Sequence, residues 1–253
     1  MVTTKLTGGL GNYLFQIAAA STLAYKNNDT TLFDFGPSVG QAHKNINKYS
    51  SNILRNIKIG SFTPEYTFNE AGDFTFNEIP YTKNLVLQGY FQSSKYLDRE
   101  HILELYKMDD VTKTYINSVI KPNLDFLKNS TSIHVRRGDY IGRARHPVQG
   151  MEYYNQAMGH FPDNNFIVFS DDIKWCKENF KGNRFTFIQE DDYIELYLMS
   201  MCQHNIIANS SFSWWGSYLN QNPDKIIVAP SNWFGSDGRL KTENIYQEEW
   251  VVI

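Results

Sequence analysis

The chain has 253 residues, 42% of them hydrophobic and 20% charged, enough to bury a sizeable core in one large or two modest domains. A formal net charge of -3 excludes the broadly basic surface of a nucleic-acid binder, so an anionic ligand has to be met by a local cluster, here Arg136, Arg137, Arg143 and Arg145. Two cysteines, Cys176 and Cys202, sit in stretches with helical spacing and read as buried thiols of a reducing compartment, not as a disulfide or a zinc site.

The N-terminus lacks the apolar core of a signal peptide, and no apolar run approaches the ~20 residues of a membrane-spanning helix. A cytoplasmic protein without an integral membrane segment is therefore expected. Leu6 to Asn12 reads as a strand end and a Gly-rich turn, followed by a helix from Tyr13 to Tyr25 and a strand near Thr31–Phe33. Residues 36 to 84 have weak periodicity and stay unassigned. Their aromatics, among them Tyr49, Phe62, Tyr66, Phe68, Phe74 and Phe76, suit a core or a sugar face. Order returns with a strand at Leu85–Tyr90 and a helix at Lys95–Tyr106. A break near Lys121-Pro122-Asn123 divides the chain into residues 1–128 and 129–253.

From residue 129 the signals alternate regularly. Strands are expected at Ser132–Val135, Phe166–Phe169, Phe185–Ile188, Ile206–Ala208 and Ile226–Ala229, with helices between them at Glu152–His160, Ile173–Phe180, Asp192–His204 and Phe212–Leu219. Asp192 with Glu195 reads as a capping box. Such alternation means an α/β fold whose C-terminal part is a doubly wound parallel sheet, which binds ligands at the carboxyl ends of its strands.

Four segments carry chemistry. In His134-Val135-Arg136-Arg137-Gly138-Asp139-Tyr140, two guanidinium forks come after a strand and precede a glycine turn, which suits a phosphate; an arginine pair bridged to Asp139 is the plain alternative. Gly8-Gly9-Leu10-Gly11-Asn12 opens a helix, and its small residues let a sugar or a phosphate approach backbone N–H groups, unless it is merely a helix-entry turn. Ala208-Asn209-Ser210-Ser211-Phe212 ends a strand in small polar residues at a helix start, either an anion nest or a simple N-cap. Of Asp171 and Asp172, one caps the following helix and the other is left to accept hydrogen bonds from a base or a ribose. No Asp-x-Asp occurs and no His-rich ligand spacing, so no metal site is read.

The segments GGLGNYLFQIA, LQGYFQSSKY, HVRRGDY, FSDD, ANSSFSWWG and APSNWF occur in the order and spacing of the α-1,2-fucosyltransferases of glycosyltransferase family 11, which the chain resembles from about residue 7 to 235. That resemblance implies a GT-B-like architecture, two Rossmann-type domains facing across a cleft, with the N-terminal one on the acceptor side and the C-terminal one holding the donor. It implies inverting, metal-independent transfer of L-fucose from GDP-β-L-fucose, with no cofactor, to a hydroxyl of a glycan acceptor, usually O2 of a galactose. Carried over residue by residue, it puts Arg136 on the β-phosphate with Arg137 beside it or bracing the loop. His134 and Asp171 fall to guanine or ribose, and Ser210, Ser211 and Phe212 to the diphosphate. Gly9, Gly11 and Asn12, with Gln16, help close the site. Asp139 is the candidate general base, though a turn brace explains it equally. A non-catalytic GDP-sugar binder or lectin-like protein on the same fold, or a transferase for another GDP-sugar or linkage, are the competing readings.

Overall fold

The computed structural model describes residues 1–36, 46–119, 124–235 and 240–253. By its contacts the chain forms two compact units, Met1–Asp109 with Arg239–Gln247, and Asp110–Gly238 with Glu248–Ile253. The expected break at Lys121-Pro122-Asn123 lies outside the described residues, as does part of the unassigned stretch, residues 37–45.

The first unit opens with β1 (Val2–Thr4) and α1 (Leu10–Lys26), continues through a 3-10 turn at Ile46–Tyr49 to β2 (Tyr66–Asn69) and β3 (Leu85–Gln88), and adds a 3-10 turn at Ser94–Tyr96 and α2 (Arg99–Leu105). The three strands run parallel in the order β1-β3-β2. Helix α1 is buried nearly all round because Leu14, Phe15, Ile17 and the Ala18–Ala20 run give it no polar face. Three expectations change here. The strand precedes Leu6 and the helix begins at Leu10, because Gly9 already serves as its N-cap. Thr31 and Phe33 make only isolated bridges to Val2 and Ile59, without a continuous ladder. The helix expected over Lys95–Tyr106 is broken at Leu97 and Asp98, where the Asp98 carboxylate takes the His101 N–H and starts α2 afresh.

The second unit contains α3 (Asp110–Val119), α4 (Leu124–Lys128), β4 (Ser130–Val135), a 3-10 turn at Gly138–Tyr140, α5 (Met151–Met158), β5 (Asn165–Ser170), α6 (Ile173–Asn179), β6 (Phe185–Phe187), α7 (Asp192–Met201), β7 (His204–Ile206), α8 (Ser211–Tyr218), β8 (Ile227–Ala229) and β9 (Val251–Val252). Helices α3 and α4 pack against α7. The strands are all parallel in the order β6-β5-β4-β7-β8-β9. Numbered within the sheet this is the 3-2-1-4-5-6 order of a doubly wound dinucleotide fold. The central strand β4 is buried throughout, and Ile133, Val135, Phe166, Val168, Ile206 and Val228 form its core with Tyr154 and Phe161. Polar groups in that core are paired: Asn205 donates to Ser132 Oγ at 2.7 Å and to the Met199 carbonyl at 2.8 Å, and its own oxygen accepts from Asn220 at 2.9 Å.

The capping box expected of Asp192 with Glu195 does not form, because α7 is capped one residue earlier and its N-cap side chain makes no cap bond. Asp191 is the N-cap residue, and Glu195 reaches back to the N–H of Glu190 at 3.1 Å. Cys176 and Cys202 are both buried free thiols, pushed up by burial to about 11 and beyond the ordinary range respectively.

Candidate active site

In a doubly wound sheet the ligand crevice opens where strand order reverses, outside the carboxyl ends of the two strands that flank that point. Here those strands are β4 and β7. Strand β4 runs out into Arg136-Arg137-Gly138-Asp139, and β7 leads to Asn209-Ser210 and the N-terminus of α8.

Strand β4 pairs in parallel with β5, Val135 standing opposite Ser170. Carried one and two residues past the strand ends, that register sets Arg136 against Asp171 and Arg137 against Asp172. Both pairs are made: Arg136 Nη1 to Asp171 Oδ2 at 3.2 Å and Arg137 Nε to Asp172 Oδ2 at 3.1 Å. The two arginines are not equivalent. Arg137 also lies over the Trp175 ring at 4.2 Å, and Asp172 spends its other oxygen on the Trp175 N–H as N-cap of α6, so this arginine braces the loop against a helix. The Trp175 N–H, with Arg137 beside it, holds the Asp172 carboxyl below the usual range.

Arg136 is gripped from two sides, by Asp171 and by Asp139 Oδ1 at 2.7 Å, with the Tyr140 ring 5.5 Å from its guanidinium carbon. Asp139, the expected base, is thus an ion-pair partner of Arg136. Asp171, expected to serve a base or a ribose as the carboxylate left over from capping, is drawn into the same loop. It accepts the N–H of Arg137 at 2.9 Å and of Gly138 at 3.1 Å.

His134, the penultimate residue of β4, is 3% exposed and packs against Phe212 with ring centroids 5.3 Å apart. Burial, and the Arg136 charge with it, lower its pKa to about 3, so its imidazole is neutral. The Tyr154 hydroxyl holds the His134 carbonyl at 3.2 Å and so fixes the strand end just ahead of the arginines. Across the crevice Ser210 is the N-cap of α8, its hydroxyl oxygen accepting from the Phe212 N–H at 3.3 Å, and Ser211 begins the helix. Trp214 and Trp215 are wholly buried and anchor α8 in the core.

Among the described residues seven buried side-chain polar atoms have no protein partner, and three belong to this edge: His134 Nδ1, Arg136 Nε and Asn209 Oδ1. Folded proteins leave few such groups, and a cluster of them beside an arginine marks a place built for a polar ligand. No group of three or more His, Cys, Asp or Glu side chains suited to a metal occurs among the described residues.

Gly9, Gly11 and Asn12 stand in the first unit. Gly9 is the N-cap of α1 and Gly11 is buried within it, while the Asn12 side-chain oxygen accepts from Gln92 at 2.9 Å. Gln16 is fully buried, taking the Thr7 N–H and donating to the Gly89 carbonyl at 3.0 Å each, which makes it an internal brace and no part of a ligand surface. Two residues that shape the arginine site escaped the sequence reading. Tyr140 donates to the Asn209 carbonyl at 3.1 Å and ties the arginine loop to the α8 turn; burial pushes its phenol up to about 12. Trp175 carries Arg137. Nothing in the local pattern announced Trp175, whereas Tyr140 lies inside the arginine heptapeptide and was open to notice.

Among solved structures the fold is similar to that of NodZ, an α-1,6-fucosyltransferase in a crystal soaked with GDP-fucose, with a TM-score of 0.55, 12% identity and coverage of 86% of this chain and 92% of that one; NodZ comes from Bradyrhizobium. That likeness bears on the fold, an α/β fold with parallel sheets of the kind found in GT-B-type fucosyltransferases. In sequence the chain is 32% identical to an O-antigen biosynthesis glycosyltransferase, WbnK, of Escherichia coli, over 97% of this chain and 98% of that protein. It is 28% identical to an alpha-1,2-colitosyltransferase of Escherichia coli, over 100% and 99% of the two chains. The family model for glycosyl transferase family 11 matches residues 1–253, and the chain belongs to that family.

Proposed function

We propose that the chain transfers L-fucose from GDP-β-L-fucose to a hydroxyl of a glycan acceptor, O2 of a galactose, with inversion and without a bound metal. The observation that carries this reading is Arg136, held at the point where strand order reverses, on an edge where His134 Nδ1, Arg136 Nε and Asn209 Oδ1 are buried without a protein partner. In such a transfer the bond from the anomeric carbon to the β-phosphate oxygen breaks, and negative charge grows on that oxygen as the sugar gains oxocarbenium character. A guanidinium fixed beside the phosphate stabilises that charge more in the transition state than in the ground state.

In this reading Arg136 faces the β-phosphate, Ser210, Ser211 and Phe212 at the start of α8 meet the diphosphate, and His134 borders the guanine or ribose. Arg137 braces. The second unit is the donor side, and the first, with Gly9, Gly11 and Asn12, serves the acceptor and the transferred sugar. Asp139 makes the shorter of the two carboxylate contacts to Arg136, and that bridge favours a loop brace over proton abstraction. A second reading has a specific basis in the colitosyltransferase relative: colitose is fucose without the 3-hydroxyl, and one pocket can be built for either.

The test is turnover. Incubated with GDP-fucose and a β-galactoside, the protein should release GDP slowly alone and faster with acceptor, in the presence of EDTA, and yield an α-linked product by NMR. Donor bound but left intact would support a lectin-like binder, and turnover of GDP-colitose alone would support the second reading. Stabilisation against heat by uridine nucleotides and not by GDP would sink both, since a ligand at 100 times its Kd adds about 2.7 kcal/mol.

A further inference from the structure

We infer that Asp171 is a positioning residue that acts on the donor through Arg136 and reads neither the base nor the ribose; the inference rests on Arg136 meeting the diphosphate. Both carboxylate oxygens of Asp171 are committed to the arginine loop. Oδ1 accepts the Arg137 N–H at 2.9 Å, while Oδ2 accepts the Gly138 N–H at 3.1 Å and pairs with Arg136 Nη1 at 3.2 Å. One side chain just past β5 thereby fixes two consecutive peptide groups of the loop after β4 and the guanidinium just ahead of them. Gly138 makes the fit possible, because a Cβ on it would lie 2.7 Å from Asp171 Oδ2.

The Asp139 bridge is of another kind. It joins residues three apart in the same loop, and its carboxylate is 50% exposed. Exposed pairs of this sort contribute little. A phosphate arriving at Arg136 displaces Asp139 readily, while Asp171 keeps the arginine aimed.

The experiment compares GDP with GMP, which lacks the β-phosphate, by titration calorimetry on the wild-type chain, Arg136→Ala, Asp171→Ala and the double variant. Asp171→Ala should weaken GDP about tenfold or more and leave GMP within about twofold, the scale of a charge-assisted hydrogen bond. In the Arg136→Ala background the same change should cost less than about threefold, because its route to the ligand is already gone. Asp171→Asn, which keeps an oxygen acceptor, should recover part of the GDP affinity. Gly138→Ala, which displaces the carboxylate without removing it, should reproduce the Asp171→Ala pattern and covers the case in which Asp171→Ala fails to fold. Equal loss of GDP and GMP, or an undiminished loss in the double variant, would overturn the positioning role. An Arg136→Ala protein that binds GDP as the wild type does would overturn the phosphate reading beneath it, and a wild-type chain indifferent to GDP would overturn the donor.

Discussion

Arg136 shows how one side chain acquires a role through its surroundings. An isolated arginine pair beside an aspartate is an ordinary surface ion pair, and Arg137 is close to that, locked to Asp172 and Trp175. Arg136 differs because its partners leave it at the mouth of the crevice, with an Nε that finds no protein acceptor. Losing a fixed donor aimed at developing charge typically costs roughly 3 to 4 kcal/mol in the barrier. Arg136→Ala is therefore expected to lose at least about 100-fold in turnover. Arg136→Lys should recover little, since an ammonium is a point charge and cannot span Asp139, Asp171 and a phosphate at once. Steady-state rates within a few-fold of wild type for the alanine variant would remove Arg136 from the chemistry.

At the scale of elements, two adjacent glycines separate a demand of the fold from a demand of the ligand. Gly8 has a φ of +91°, and a Cβ on it would run into the Asn12 side chain; Gly9, the N-cap of α1, is extended with φ of -102°, and a Cβ there would meet open space. Gly8→Ala should destabilise the chain by about 1–2 kcal/mol in chemical denaturation. Gly9→Ala should cost about 0.5 kcal/mol, the difference between glycine and the poorer N-cap alanine, yet slow transfer several-fold if a ligand lies against that turn. Unchanged turnover in Gly9→Ala would take the loop out of the site. Strands β4, β5 and β8 were legible because buried apolar residues cluster at or near their C-terminal ends, whereas β7 begins at His204, two residues ahead of the expected Ile206, because its first two residues are polar, and the two-residue, partly exposed β9 had no apolar run to announce it. Strand β2 was not legible either, being exposed along most of its length and so without an apolar pattern. The pairing of the two arginines with Asp171 and Asp172 depends on strand register, which no local pattern encodes.

For the molecule as a whole, histidines that are buried or half-buried shape the response to acid. His101, His134, His146 and His204 are each held below the ordinary imidazole value by burial, His134 the furthest, at about 3. Above pH 6.5 the folded and unfolded chains both carry these side chains neutral, and this source gives no pH dependence. Between pH 6.5 and 3 the unfolded chain protonates its histidines while the folded one keeps His134 neutral, so the unfolded state binds more protons and stability falls as the pH drops. The lowered carboxylates, Asp29, Asp73 and Asp172, act in the same direction only below about pH 4, where the unfolded chain begins to protonate them. Glu70, raised by burial, takes up its proton in the folded chain above the ordinary carboxylate value and so works against the histidines as the pH falls toward 5. The difference between wild type and a variant lacking one histidine isolates that histidine, because Glu70 is common to both. Denaturant unfolding between about pH 6 and 5 should show the wild type losing on the order of 1 kcal/mol per pH unit through His134 alone. His134→Gln, which cannot titrate, should flatten the curve by that amount while leaving the contributions of the other three in place. Equal slopes for the two proteins would mean that the imidazole on β4 takes up a proton in the folded chain, and that His134 meets its ligand as a cation.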